Sequence, residues 1–139
     1  MQAIGDFVHH HVTFAYQDAR STRSAWEAFT EKKGVCRDYA HLAAAFCRCM
    51  NIPSRYCTGY LGDSGTPPHG VMDFAAWFEA FVDGRWQTFD ARNNVPRIGR
   101  VLIARGRDAT DVAISNAFGP NMLVGFTVWT DEFNMDGPD

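Results

Sequence analysis

Apolar residues recur at helical spacing in three segments of the first part of the chain. The first helix is predicted from four of them: Ile4, Phe7, Val8 and Val12. A short second helix begins after Ser24, because Glu27 stands three residues later, as in a capping box. The strongest pattern runs from Cys36 to Met50, and the following Asn-Ile-Pro sequence ends it. Three helices are therefore predicted.

The later part of the chain has patterns that are typical of strands. Five segments carry them: Ser54–Leu61, Phe74–Val82, Arg85–Ala91, Val101–Ala104 and Met122–Trp129. A loop rich in glycine and proline, from Gly62 to Gly70, separates the first two and is the segment that we expect to be most mobile. Helices followed by strands predict an α+β fold in which the helices pack on an antiparallel sheet.

Asp83-Gly84 is the two-residue signal of a type I′ hairpin. This turn pairs Val82 with Arg85, and extending the register places Trp77 opposite Asp90. Residues opposite each other share a face of the sheet, so Asp90 is the diagonal neighbour of position 75, roughly 7 Å away. A histidine at position 75 would reach Asp90 from there, but the residue is Ala75.

The composition predicts one domain over residues 1–139, since 46% of the residues are hydrophobic and a core of this size is normally built once. A net charge of −3 argues against nucleic acid and anionic membranes as partners. No apolar run reaches the roughly 20 residues that span a bilayer, and the N-terminus lacks a signal-peptide pattern. With the cysteines grouped rather than spread as a disulfide framework, we expect a cytoplasmic protein. A secreted fragment and a segment of a longer protein are the alternatives.

Cys36 is the cysteine that the sequence places for chemistry. It follows Gly34-Val35 and begins the main helix, where the backbone N–H groups and the helix dipole favour a thiolate. The same N–H groups are suited to bind the oxyanion that forms when a thiolate attacks a carbonyl group. The other three thiols lie inside a helix or a strand and are predicted to pack in the core: Cys47, Cys49 and Cys57.

The histidines do not predict a metal site. Consecutive helical residues point about 100° apart, so the three histidines at positions 9–11 cannot converge on one ion. Cys47 and Cys49 have neither zinc-ribbon nor thioredoxin spacing. His41 is interpreted as structural, and Asp38 as a residue that stabilises the first turn of its helix. No metal and no other cofactor is expected.

Three separated motifs resemble the bacterial transglutaminase-like superfamily. They are GVCRDYAHL from Gly34, IPSRYCTGY from Ile52 and MDFAAWFEAFVDGRWQTFDAR from Met72. The resemblance implies a papain-like α+β fold with the nucleophile at a helix N-terminus. It also implies thiol-mediated acyl transfer on amide bonds, either hydrolysis by a cysteine peptidase or transamidation, with a peptide or protein as substrate.

Carried over to this chain, the resemblance makes Cys36 the nucleophile and Asp90 the residue that orients the base. Ala75 occupies the position of the family's histidine, and losing the base of a serine-protease triad costs on the order of 10⁶ in turnover. Trp77 shares a face with position 75 and is interpreted as core or as the border of a substrate groove. His69, in the preceding loop, is a second candidate for the border of that groove and a weaker candidate for a replacement base.

Two explanations of Ala75 are left open. An engineered substitution that inactivates an enzyme is favoured, because the residues around position 75 keep the active pattern. The rival is a natural pseudoenzyme that binds peptides or proteins without cleaving them. A purely structural domain is a third hypothesis, and it predicts an inaccessible Cys36 thiol.

Overall fold

The three predicted helices are present in the computed structural model, which describes residues 1–62, 74–113 and 115–130. The first helix, α1, spans Gln2–His11, α2 spans Ala25–Glu31, and α3 spans Cys36–Cys49. Two short strands, β1 (Thr13–Phe14) and β2 (Lys33–Gly34), pair in parallel next to a single 3₁₀ turn, Tyr16–Asp18. None of the helices in the described ranges is long and apolar enough to cross a membrane.

Local signals in the sequence fix where α2 begins. The Ser24 hydroxyl accepts a hydrogen bond from the Glu27 backbone N–H at 3.2 Å. In return, the Glu27 carboxylate accepts the Ser24 backbone N–H at 2.8 Å. The predicted capping box is therefore confirmed, and it satisfies donors that have no acceptor inside the helix.

The later part of the chain forms a four-stranded antiparallel sheet in the order β5-β4-β3-β6. Its strands are β3 (Ser54–Leu61), β4 (Phe74–Val82), β5 (Arg85–Phe89) and β6 (Arg100–Gly106). The β4–β5 turn has positive φ at Asp83 (53°) and Gly84 (76°), as a type I′ turn requires. The predicted hairpin register is confirmed from Val82–Arg85 to Phe78–Phe89.

Helix α3 packs on one face of this sheet, together with α1, and the largest core cluster lies between them. This inner face carries Phe78 and Ala80, which contact Val8, Leu42 and Cys47. Side chains alternate along a strand, so the intervening residues of β4 point to the outer face: Ala75, Trp77 and Glu79. The predicted α+β architecture, with helices on an antiparallel sheet, is confirmed.

Two predicted strands differ from the structure. The strand expected from Arg85 to Ala91 ends at Phe89, so Asp90 follows the ladder instead of pairing within it. The Asp90 carboxylate accepts the backbone N–H groups of Arg92 and Asn93, which turns the chain away from β4.

The strand predicted from Met122 to Trp129 is wrong. That segment has no strand structure, and most of its apolar side chains are exposed. Its nearly continuous run of apolar residues is typical of a buried strand, but a strand also needs a neighbour to accept its backbone hydrogen bonds.

Candidate active site

Cys36 is the first residue of α3 and is half-buried. The residue before it, Val35, is extended (φ −114°, ψ 179°) and caps the helix. The Cys36 thiol donates to the backbone carbonyl of Phe74 at an S···O distance of 3.8 Å. That carbonyl belongs to the peptide group joining Phe74 to Ala75. The structure therefore brings the predicted nucleophile next to the backbone of position 75.

A buried ion network holds the first turn of α3. The Asp38 side chain is fully buried. Its carboxylate accepts hydrogen bonds from the Arg23 guanidinium at 2.9 Å, the Arg37 guanidinium at 3.0 Å and the Val35 backbone N–H at 2.9 Å. Burial disfavours the charged Arg23 guanidinium, but the hydrogen bonds and charges of Asp38 and Glu31 outweigh it and raise the Arg23 pKa. The prediction that Asp38 stabilises this turn is confirmed.

Gly34 lets the Asp38 carboxylate come this close to the chain. A Cβ atom at residue 34 would lie 2.5 Å from Oδ2 of Asp38 and 2.6 Å from its Cβ. Any larger residue would push Asp38 off the Val35 N–H group. The glycine two residues before Cys36 is therefore required by the packing that holds Cys36 at the start of α3.

The Asp90 side chain is almost fully buried and accepts hydrogen bonds from four donors. Its Oδ1 accepts the backbone N–H groups of Arg92 and Asn93, both at 3.0 Å. Its Oδ2 accepts the Asn93 side-chain amide and the Arg100 guanidinium, both at 2.7 Å. A carboxylate offers about four lone-pair sites. In this structure, those of Asp90 are filled by groups other than an imidazole.

Helix α1 holds the turn that carries Asp90. His9 Nδ1 lies 3.2 Å from the carbonyl oxygen of Ala91 and 3.0 Å from that of Arg92. Asn94 adds a bond from its backbone N–H to the Asp90 carbonyl at 2.8 Å and one from its side chain to Asp6, also at 2.8 Å. His9 therefore has a structural role at this turn.

Trp77 lies in the interior, with 2% of its surface exposed. The Arg100 guanidinium covers it, with its central carbon 5.0 Å from the ring centroid. The core interpretation of Trp77 is confirmed, and its role at a substrate groove stays a prediction. His69 lies outside the described residues, as do most of the Gly62–Gly70 loop and the Met72-Asp73 start of the third motif.

Tyr56 lies beside Cys36 and was not singled out from the sequence. It is buried in a small cluster with Ala40, Ala76 and Val112, against which Cys36 packs. Burial, and next the negative charge of a Cys36 thiolate, raise the pKa of the Tyr56 phenol. The phenol is therefore neutral at physiological pH.

The remaining cysteines divide by position. Cys47 and Cys57 are fully buried, which confirms the prediction that they pack in the core. The same prediction is wrong for Cys49, which is exposed because it is the last residue of α3.

The remaining histidines have separate surroundings. His10 and His11 contact backbone carbonyl oxygens of Asp6 and Phe29, respectively. His41 is half-buried, and burial, followed by the charge of Arg37, lowers its pKa. In the described part of the chain, no group of three or more His, Cys, Asp or Glu residues could hold a metal ion.

The family model of the transglutaminase-like superfamily matches residues 1–91. The chain belongs to this superfamily. The matched residues include Cys36, position 75 and Asp90, whereas β6 and Arg100 follow the match.

Three relatives of the transglutaminase-like chain illustrate its similarity to known proteins. An uncharacterised protein of Mycobacterium leprae is 36% identical over 96 residues, covering 65% of this chain and 33% of the relative. One of Mycobacterium tuberculosis is 31% identical over 111 residues, covering 71% and 35%. A candidate cysteine protease from Cytophaga hutchinsonii, known from its crystal structure, is 40% identical in sequence and matches with a TM-score of 0.75, covering 93% of this chain and 47% of that protein.

The transglutaminase-like fold predicted from the three motifs is confirmed. The chain spans about a third of the curated relatives and about half of the solved protein.

Proposed function

We propose that this chain carries the catalytic site of a cysteine-dependent acyltransferase acting on amide bonds of peptides or proteins, silenced by alanine at position 75. The observation that carries the proposal is the position of the Cys36 sulfur, at the first turn of α3 and beside the peptide group of Ala75. Membership of the transglutaminase-like superfamily supports it, and so does the similarity to a candidate cysteine protease.

In the active form of such a site, a histidine at position 75 accepts the proton of the Cys36 thiol. The thiolate attacks the carbonyl carbon of the substrate, an S–C bond forms, and the carbonyl oxygen takes the negative charge. The N–H groups at the start of α3 are donors for that oxygen. The C–N bond then breaks, and the imidazolium gives its proton to the leaving amine. Water or a second amine finally takes the acyl group from sulfur.

Alanine at position 75 removes both proton transfers, because a methyl group neither accepts the thiol proton nor protonates the leaving amine. General acid–base catalysis contributes about 10²–10⁴-fold in rate. We therefore expect Ala75→His to raise amide turnover by at least about 10²-fold and to speed alkylation of Cys36 near pH 7. Turnover of a peptide library and alkylation rates measured by mass spectrometry test this expectation.

Two controls separate an imidazole effect from a change of shape. Ala75→Gln introduces a polar side chain without a base and should leave both rates at the level of the starting chain. Combining Ala75→His with Cys36→Ser should abolish the gain in turnover. If Ala75→His folds but changes neither alkylation nor turnover, the enzyme proposal is wrong.

A binding module is the second candidate, and the donors around Asp90 favour it. All four lone-pair sites of that carboxylate are occupied, so the site is stable without an imidazole. This reading predicts a peptide that binds the chain, remains uncleaved, and binds equally well to Ala75→His and Cys36→Ser variants. Isothermal titration of peptides retained by the immobilised chain distinguishes it from the enzyme.

A further inference from the structure

Arg100 holds Asp90 from a strand that lies outside the family match. It is the first residue of β6, and its Nη2 donates to Oδ2 of Asp90 at 2.7 Å. Both side chains are largely buried, with 13% and 4% of their surface exposed. A charge-assisted hydrogen bond between buried partners is among the stronger side-chain interactions in a protein.

The Arg100 guanidinium shares the outer face with position 75. It covers the ring of Trp77, and Ala75 lies two residues before Trp77 on the same face of β4. Asp90 follows the last ladder pair, Phe78–Phe89, by one residue. An imidazole at position 75 would therefore approach Asp90 on the side where Arg100 is bound.

Contacts within the described part of the chain hold the Arg100 guanidinium beside Asp90. Its Nη1 is buried without a hydrogen-bond partner among the described residues, so the Asp90 bond and the Trp77 ring account for its position. The other three donors to Asp90 belong to residues of its own turn, namely Arg92 and Asn93. Arg100 is the donor that comes from a separate strand.

We propose that Arg100 is a positioning residue that occupies the acceptor site on Asp90 needed by an imidazole at position 75. This inference rests on the proposed function, since it assigns Asp90 the task of orienting that imidazole. It follows that restoring the histidine restores only part of the site. Arg100 must leave Oδ2 before Asp90 can hold the ring, so a residue of β6 controls a triad whose three members all lie in the first 91 positions.

The test measures the imidazole directly and does not depend on catalysis. In an Ala75→His, Cys36→Ala background, the pKa of the introduced imidazole is followed by NMR with Arg100 intact and with Arg100→Gln. A neighbouring carboxylate favours the charged imidazole. We therefore expect Arg100→Gln to raise that pKa by about one pH unit or more, as Asp90 becomes free to accept the ring N–H.

Arg97→Gln is the matched control for the loss of one positive charge. Arg97 lines the same cleft of about 510 Å³ beside Asp90, but its Nη2 donates to the Gly62 carbonyl at 2.8 Å. It should change the imidazole pKa far less than Arg100→Gln. If the two substitutions shift it equally, or Arg100→Gln leaves it unchanged, the proposal is overturned.

Arg100→Lys keeps the test decisive if Arg100→Gln does not fold. It removes the guanidinium plane over Trp77 and should shift the pKa of the introduced imidazole in the same direction by less.

With Cys36 retained, adding Arg100→Gln to Ala75→His should increase amide turnover by a further tenfold or so, as expected for a base that gains its orienting carboxylate. A raised imidazole pKa without any turnover would uphold the role of Arg100 and reject the enzyme function.

Discussion

At the residue scale, the four thiols of this chain differ in exposure. Burial is the main cause that raises the pKa of Cys57, to about 12, and the charge of Glu79 adds to it. Burial also raises the pKa of Cys47. Both side chains are completely inaccessible, whereas Cys36 is half-buried and Cys49 is exposed. Only a thiolate that a reagent can reach reacts quickly.

These differences predict the pattern of alkylation in the native protein. With iodoacetamide at neutral pH, we expect Cys36 and Cys49 to be modified, and Cys47 and Cys57 to react more than about 100-fold more slowly until the protein is unfolded. Peptide mapping by mass spectrometry measures the four rates separately. A matched Cys36→Ser variant identifies the signal of Cys36. Protection of Cys36 comparable to that of Cys57 would instead support the purely structural hypothesis.

The position of Cys36 at a helix start was predictable from the sequence, because its neighbours in the chain determine its surroundings. Gly34, Val35 and Asp38 all lie within four residues of it and form the helix start that holds the thiol. Arg100 carried no comparable signal, since its contact with Asp90 arises only when β6 joins the sheet next to β3. Local geometry was therefore predictable, and contacts made through the fold were not.

At the scale of the strands, Glu79 joins the sheet across its outer face. From β4 it accepts Arg55 of β3 at 2.5 Å and Arg105 of β6 at 3.0 and 3.1 Å. Arg55 also lies 4.1 Å above the Trp86 ring of β5. Burial acts to raise the Glu79 pKa, but the hydrogen bonds and charges of Arg105 and Arg55 prevail and lower it below 4.5. The Glu79 carboxylate thus links β3, β4 and β6, and Arg55 extends this network to β5.

This linkage predicts how stability depends on acid. A carboxyl group whose pKa is lower in the folded chain stabilises the fold above its unfolded pKa, and this contribution is lost as the pH falls through the folded pKa. For Glu79 the loss begins near pH 4.5 and continues below it. Glu79→Gln should lower the free energy of unfolding at pH 7 by about 1–3 kcal/mol, because two guanidinium groups lose their charged acceptor. The difference from the parent chain should shrink towards pH 3.

Urea unfolding at a series of pH values measures both effects. Asp83→Asn is the matched control, because it neutralises an exposed carboxylate at the turn of the same hairpin and keeps a residue that tolerates positive φ. Its stability curve should run parallel to that of the parent. A constant difference between Glu79→Gln and the parent from pH 7 to pH 3 would show that the charge of Glu79 is not what stabilises the sheet.

The strands also mark where sequence patterns stop being informative. Asp83-Gly84 sets the β4–β5 register by itself, because positive φ at both residues selects one turn type. Met122–Trp129 is a nearly continuous apolar run, which is also typical of a strand, yet no strand forms there. Pairing requires a free edge in the right place, and a pattern along one segment contains no information about its neighbours.

At the scale of the whole molecule, the described residues that follow the family match divide into two parts. The first completes the sheet, since β6 pairs with β3 from Tyr56–Gly106 to Leu61–Arg100, and Val112 packs in the cluster beside Cys36. The second, residues 115–130, is irregular, with Phe118 97% and Val124 91% exposed. The fold therefore depends on the first part far more than on the second.

Two truncations test this division. A chain of residues 1–113 keeps β6 and Val112 and loses the edge-on contact of Phe126 with Phe74, whose ring centroids are 6.2 Å apart. We expect it to unfold cooperatively, with a loss of about 1–2 kcal/mol in unfolding free energy. A chain of residues 1–99 lacks β6, which exposes the β3 edge and removes the Arg100–Asp90 bond, so it should unfold without a sharp transition. Thermal unfolding followed by circular dichroism distinguishes the two chains. The alkylation rate of Cys57 is an independent measure of whether β6 is in place, because β6 pairs directly with that residue. If residues 1–113 behaved like residues 1–99, the exposed segment would belong to the structural core and this division of the chain would be wrong.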